Sequence, residues 1–361
     1  MIQHDRYQYQ IEIRRTEDDT VFGRRDVPQS QFEPVREQML FLGQRHGLVP
    51  ADPNGTAVAE TPLFKWPAGG EINGVVLSVG NGKREVRRQL PIANLFDSYA
   101  AIVTAELLGA QQLQATDHID YRVYASPVLP AEAADGVVAK VCRDPLPLCP
   151  GRLDDWLAAA EAVGPMNERD HPVFVLDTVF AQAQQYSWQG RQSEGGCWLV
   201  GRLFQQAEPV PEVFCVIDTV LQAYGMKHTR FGLELSSETY VRLKSQLHRR
   251  RAKLGREGEL EIGFYHTHPF LPSELDGEDS CSSCPKRPEC PLSSAALFSQ
   301  KDAVFHKAIF GRAAFAVEFV LGLTPREEFD LRAFTLDGGQ FRERGFYRIS
   351  RVPGERGQTG T

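Results

Sequence analysis

Residues 263–290 read GFYHTHPFLPSELDGEDSCSSCPKRPEC, two histidines one residue apart followed by three cysteines within ten positions. Imidazole nitrogen and thiolate sulfur are the ligands that zinc and softer metals take, so the stretch asks for one metal site or two. Side chains alternate along an extended strand, which puts Ile262, Phe264, His266 and His268 on one face, where both rings can turn a nitrogen to the same ion. Taken alone, the pair reads equally as ordinary strand-end histidines. A catalytic zinc needs more: a third protein ligand, a position left open for water, and a group that moves a proton. Asp302, in Ser299-Gln-Lys-Asp302, is the candidate third ligand at the start of a helix. Serine followed three residues later by an acid is also a plain helix-start signature, and both readings can hold at once, because a capped start fixes the carboxylate. Glu194, just ahead of GGCWLVG, is the candidate proton shuttle, although by itself a glutamate before two glycines reads as a solvated loop residue.

The cysteines are a separate question. Cys281, Cys284 and Cys290, with prolines at 285, 288 and 291, offer three thiolates in a turn-rich loop, and three ligands do not close a structural zinc site. The fourth could come from Cys142 or Cys149, or from a nearby Asp or His. One cysteine far upstream of such a cluster also resembles the iron–sulfur centre of some nuclease families, so a second zinc and a four-iron cluster both stay open. So do free thiols in a flexible insertion. A metal-stapled knob that contacts substrate is the reading a Cys284→Ser variant tests, through its metal content. Cys197 and Cys215 fall in apolar strands and read as buried packing residues.

The elements that would hold these residues follow from periodicity. In the second half PVFVLDTVF reads as a strand, AQAQQYSWQGRQSE as a polar helix, and GGCWLVGRLFQ, PEVFCVIDTVLQ and RFGLELS as strands. SSETYVRLKSQLHRRRAKLG has serines for a cap, Glu238 in the first turn, Tyr240, Leu243 and Leu247 at helical spacing and Gly255 at the stop. ELEIGFYHTHPF is a strand, FSQKDAVFHKAIFG a helix, AFAVEFVLGLT an apolar strand, and the last strands form a hairpin around Asp337-Gly338-Gly339 before a tail over residues 353–361 that reads as disordered. The first half is mixed α/β without nameable chemistry: YQYQIEIRR, INGVVLSVG and IDYRVYASPVL alternate as strands and DSYAAIVTAELLGAQQ reads as a helix. A proline-broken run near residue 165 marks the expected boundary, giving residues 1–165 and 166–352 as two domains of α/β (α+β) class.

Bulk composition narrows the classes. The chain has 361 residues, 42% hydrophobic and 24% charged, which suits a folded protein with two cores. A net charge of −7 without a long basic run argues against a generic grip on nucleic acid; the cluster from His248 to Arg251 with Lys253 reads as a solvated helix face. No stretch has the length or apolarity of a signal peptide or membrane span, so the expectation is a cytoplasmic protein with no membrane partner, where clustered cysteines favour metal over disulfide.

Glu194, then His266-Thr-His268-Pro269, then Ser299-x-x-Asp302, in this order of strands and helices, resembles the JAMM zinc metalloprotease family, also called the JAB or MPN domain. The resemblance covers roughly residues 170–350 and implies a mixed β-sheet flanked by helices. It further implies that His266, His268 and Asp302 bind Zn²⁺, that Glu194 takes and returns the proton of the attacking water, and that Ser299 donates to the oxyanion. The sequence departs from the family in one respect, a far longer interval from His268 to the serine, with residues 269–298 as a cysteine-rich insertion. Ser273 and Asp276 form a competing Ser-x-x-Asp, but they lead into the cysteines, whereas Ser299 and Asp302 are followed by a helix and an apolar strand in the family's order. The implied function is peptidase or isopeptidase cleavage after the C-terminus of a ubiquitin-like protein, with its conjugates and the associated activating or conjugating enzymes as partners and residues 1–165 in recruitment. Two other readings stand beside it: a non-catalytic scaffold of the same fold, and a peptidase acting on a sulfur-carrier protein in cysteine or cofactor biosynthesis.

Overall fold

The computed structural model describes residues 7–65, 70–128, 143–188, 195–229, 232–234, 236–268, 298–323 and 329–353. Glu194, Cys142, Cys281, Cys284, Cys290 and the competing Ser273 and Asp276 lie outside them. The class is α+β, as the sequence predicts.

The chain divides into two units, Met1–Pro145 with Asp337–Gln340, and Leu146–Leu336 with Phe341–Thr361. In the first, β1 (Tyr7–Arg15), β2 (Val21–Asp26), α1 (Glu33–Arg45), β3 (Ala59–Phe64), β4 (Glu71–Gly80), β5 (Glu85–Pro91), α2 (Ile92–Gly109) and β6 (Ile119–Pro127) follow in order. The sheet runs β2-β1-β6-β4-β3, with β5 also on β4, and every pairing is antiparallel. Alternation buries Tyr9, Ile11 and Ile13 of β1, and these join Met39 and Leu40 of α1 and Phe96, Val103 and Leu107 of α2 in one core. α2 starts earlier than its apolar spacing suggests, because Pro91 ends β5 in an extended conformation and stands as the cap.

The second unit contains β7 (Leu148–Pro150), α3 (Leu153–Leu157), β8 (Ala160–Val163), β9 (Val173–Leu176), α4 (Asp177–Trp188), β10 (Gly195–Gln206), β11 (Glu212–Gln222), β12 (Lys227–Thr229), β13 (Gly232–Glu234), α5 (Ser237–Leu254), β14 (Leu260–Thr267), α6 (Gln300–Phe310), β15 (Val317–Leu323), β16 (Phe329–Asp337), β17 (Gln340–Arg344) and β18 (Phe346–Ile349). A mixed sheet runs β17-β16-β15-β14-β10-β11-β9-β18-β8. β10 lies antiparallel to β11 and β14, while β14 and β15 are parallel. α5 and α6 cover the face bearing Trp198 and Phe264, contributing Leu243, Leu247 and Phe310 to a shared core. α4 packs Phe180 edge-on to Phe319, whose side chain points the other way along β15.

Three expectations change. The division falls at Pro145 and Leu146, ahead of the expected 165, because the proline-rich run supplies strands to the second sheet. β7 pairs with β10 over Leu203–Gln205, where β14 has stopped, and β8 pairs with β18. PVFVLDTVF is a strand only to Leu176; Asp177 opens α4, and an apolar run this short does not separate strand from helix by periodicity. RFGLELS keeps three strand residues, in a small ribbon with β12. The hairpin at Gly338 and Gly339 forms as expected, both glycines adopting positive φ. No helix among the described residues is long and apolar enough to cross a membrane.

Candidate metal centre

His266 owes its position to strand register. Gly196 of β10 stands opposite it on one side and Val320 of β15 on the other. The close approach of β14 to β15 depends on Gly263, where an added Cβ would lie 1.8 Å from the Val317 carbonyl oxygen. His266 is buried, at 2% exposure. His268 follows the strand end, held by its backbone N–H donating to the Leu321 carbonyl at 2.9 Å. The two Nε2 atoms are 3.2 Å apart.

The third group arrives from α6. Ser299 is the N-cap: its Oγ accepts from the Asp302 N–H at 3.2 Å, and its own N–H donates to Asp302 Oδ2 at 2.7 Å. This reciprocal capping box satisfies two helix-start donors and fixes the Asp302 carboxylate. Asp302 Oδ1 lies 3.5 Å from His266 Nε2, and Oδ2 lies 3.8 Å from His268 Nε2. Zinc takes His and Asp ligands at about 2.0–2.1 Å, so two ligand atoms at tetrahedral corners stand about 3.4 Å apart. The two imidazole nitrogens stand 3.2 Å apart, near that edge, and with one atom from each residue the three donors lie within 4.8 Å of one another. Among the described residues, these three are the His/Cys/Asp/Glu group able to hold an ion. Burial acts to raise the Asp302 carboxyl, but His266 and the two bonds from Ser299 outweigh it and hold the group down at about 2, ionised and ready to ligate.

Sequence reasoning missed what lies below. His306, one helical turn beyond Asp302, is 1% exposed, and its Nδ1 is 3.4 Å from Oε1 of Glu318, which is fully buried near the start of β15. Neither Glu318 oxygen has a hydrogen-bond partner among the described residues. Burial drives Glu318 well above the usual carboxyl range, with His266 opposing and Asp302 reinforcing the rise. Burial lowers His306 to about 3. Burial thus favours the neutral form of both groups. The signal available in the sequence was the single charge inside AFAVEFVLGLT, an apolar run with no other reason to hold one.

The structure thus brings His266, His268 and Asp302 together with Ser299 beside them. Glu194 lies outside the described residues; its neighbour Gly195 pairs with Thr267, between the two histidines, and donates its N–H to Thr267 Oγ1 at 3.1 Å. Of the second cysteine set, only Cys149 is described, half-buried on β7 opposite Phe204. Cys197 and Cys215 are fully buried, as expected of packing residues, and burial pushes both thiols up.

No family model matches the sequence, and no curated protein matches it. Among solved structures, the solution structure of protein DSY2949 from Desulfitobacterium hafniense is similar over 51% of this chain and 97% of its own, at 13% identity and a TM-score of 0.31.

Proposed function

We propose that the second unit is a zinc-dependent peptidase or isopeptidase of JAMM type, acting after the C-terminus of a ubiquitin-like protein. The observation that carries the reading is the convergence of His266, His268 and Asp302, one donor atom from each lying within 4.8 Å of the others, with Ser299 fixed beside them by the capping box. Bound there, zinc would supply a Lewis acid and bring the pKa of water near neutrality. The chain's residues then have distinct tasks. The histidines and Asp302 hold the ion with three donors. Ser299 Oγ accepts a bond from the Asp302 N–H, and its own O–H is the donor assigned to the developing oxyanion. Glu194 takes the proton of the attacking water and returns it to the leaving amine; the pairing of Gly195 beside Thr267 supports that assignment. A cytoplasmic location and recruitment of the modifier by the first unit belong to the same proposal.

The test is cleavage of linear and isopeptide-linked fusions of ubiquitin-like proteins. Activity lost on chelation, regained with zinc, and reduced on the order of 10²-fold or more in Glu194→Gln supports the reading. A folded, zinc-loaded protein that cuts none of these while binding them favours the scaffold, and cleavage confined to a sulfur-carrier fusion favours the biosynthetic alternative.

A further inference from the structure

The proposed centre is assembled from two elements that are distant in sequence. His266 and His268 come from β14 and its end, Asp302 from α6. Contacts between α6 and the sheet include Phe305 and Phe310 against Phe264 and Trp198. Such contacts hold a helix down but are non-directional, so they specify its axial position and rotation weakly. Asp302 must be placed within a fraction of an ångström to share an ion with two histidines.

One buried polar pair joins α6 to β15, the strand beside β14. His306 lies four residues after Asp302 on α6, on the same helical face one turn on. Its Nδ1 faces Glu318 Oε1 at 3.4 Å. Glu318 stands opposite Phe264 across the β14–β15 ladder, two residues before Val320, which stands opposite His266. A continuous path therefore runs from Asp302 through one helical turn to His306, across to Glu318, and through the ladder to His266. A carboxyl buried among Val320, Phe334 and Phe264, without another partner, is costly unless neutral and bonded, and an apolar side chain would fill the space more cheaply.

We propose that Glu318 and His306 are positioning residues for the metal centre, a buried acid–imidazole tie that sets α6 against β15 so that Asp302 meets His266 and His268 on one ion. The inference rests on the metal-centre reading and goes beyond it, since neither residue is a ligand. The two groups face each other at 3.4 Å, Nδ1 and both carboxyl oxygens having no other partner among the described residues, and burial favours the neutral form of each, so the carboxyl O–H is the donor that Nδ1 can accept. Faults in such outer partners typically lower metal affinity 10–100-fold.

The test uses the full-length protein with Co²⁺ as a spectroscopic probe of the zinc position. Glu318→Leu removes the tie and fills the space with apolar volume; Glu318→Gln keeps a donor, its amide, toward Nδ1. With chelator present, Glu318→Leu is expected to unfold at or above the wild-type temperature, yet to bind Co²⁺ on the order of 10–100-fold more weakly with weakened visible bands. Glu318→Gln is expected to bind close to wild type. Should Glu318→Leu not fold, the pair His306→Leu/Glu318→Leu leaves no orphaned polar group and is expected to show the same loss of affinity. Wild-type affinity and spectrum in a folded Leu variant would overturn the proposal, as would an equal loss in Glu318→Gln. A wild-type protein that takes up no Co²⁺ would instead overturn the metal-centre reading, and this inference with it.

Discussion

Asp302 carries two tasks in one carboxylate: it closes the capping box on α6 and faces two imidazoles. These can be separated. Asp302→Asn keeps an acceptor for the Ser299 N–H but loses the anionic ligand, so the metal-free protein should unfold within about 1 kcal/mol of wild type while losing zinc; thermal unfolding in chelator and elemental analysis check both halves. Asp302→Ala should lose the metal and about 1 kcal/mol of helix-start stability as well. The buried pair gives a pH signature of definite sign. Glu318 has a folded-state pKa raised above its unfolded value, so its favourable contribution is complete below about pH 4.3 and is lost as pH rises toward the folded value. In metal-free protein Glu318→Gln should therefore unfold at a higher temperature than wild type at pH 8, with the difference shrinking toward pH 4; a difference that does not change with pH would contradict the buried, protonated acid. His306 works in the opposite direction, its contribution complete above about pH 6.5 and lost as pH falls toward about 3. The two histidines and Asp302 were legible in the sequence because strand alternation and a helix-start signature are local rules. Glu318 was not, since its partner His306 becomes visible only when α6 is laid on the sheet.

The elements show where local reading succeeds. α5 is bounded by Ser236, whose side chain accepts from the Thr239 N–H, and by Gly255 in the left-handed region, and both bounds follow from residue type. The register of β14 depends instead on which backbone comes close. Gly263→Val would place a Cβ against the Val317 carbonyl and force β14 and β15 apart, with an expected loss of about 3 kcal/mol or more in urea unfolding. Gly255→Ala, which meets open space and carries only the backbone strain of positive φ, should cost about 1–2 kcal/mol. The contrast tests whether Gly263 is kept for a close approach. β7 and β8 escaped sequence reading because strands of three and four residues, bordered by prolines, have too few alternations to register a period. They acquire their structure from β10 and β18, which lie far away in sequence.

Across the whole molecule, each unit has a core of its own, an antiparallel sheet with two helices in the first and a mixed sheet with helices on both faces in the second. The α+β class was readable from the succession of strand and helix patterns, but the division was not, because a run of prolines reads as a linker whether or not its short strands are captured by a sheet. Zinc binding to the second unit alone should stabilise by mass action, about 4 kcal/mol at a thousand-fold excess over Kd. Hydrogen exchange with and without zinc should then show new protection in β14, α6 and β15, and little change in β1, β4 and β6. The central claim is that His266, His268 and Asp302 together hold one zinc ion. Elemental mass spectrometry of purified wild type beside His266→Ala/His268→Ala tests it most directly. The double variant, folded, is expected to contain about one equivalent less zinc than wild type; equal metal content in the two proteins would contradict the claim.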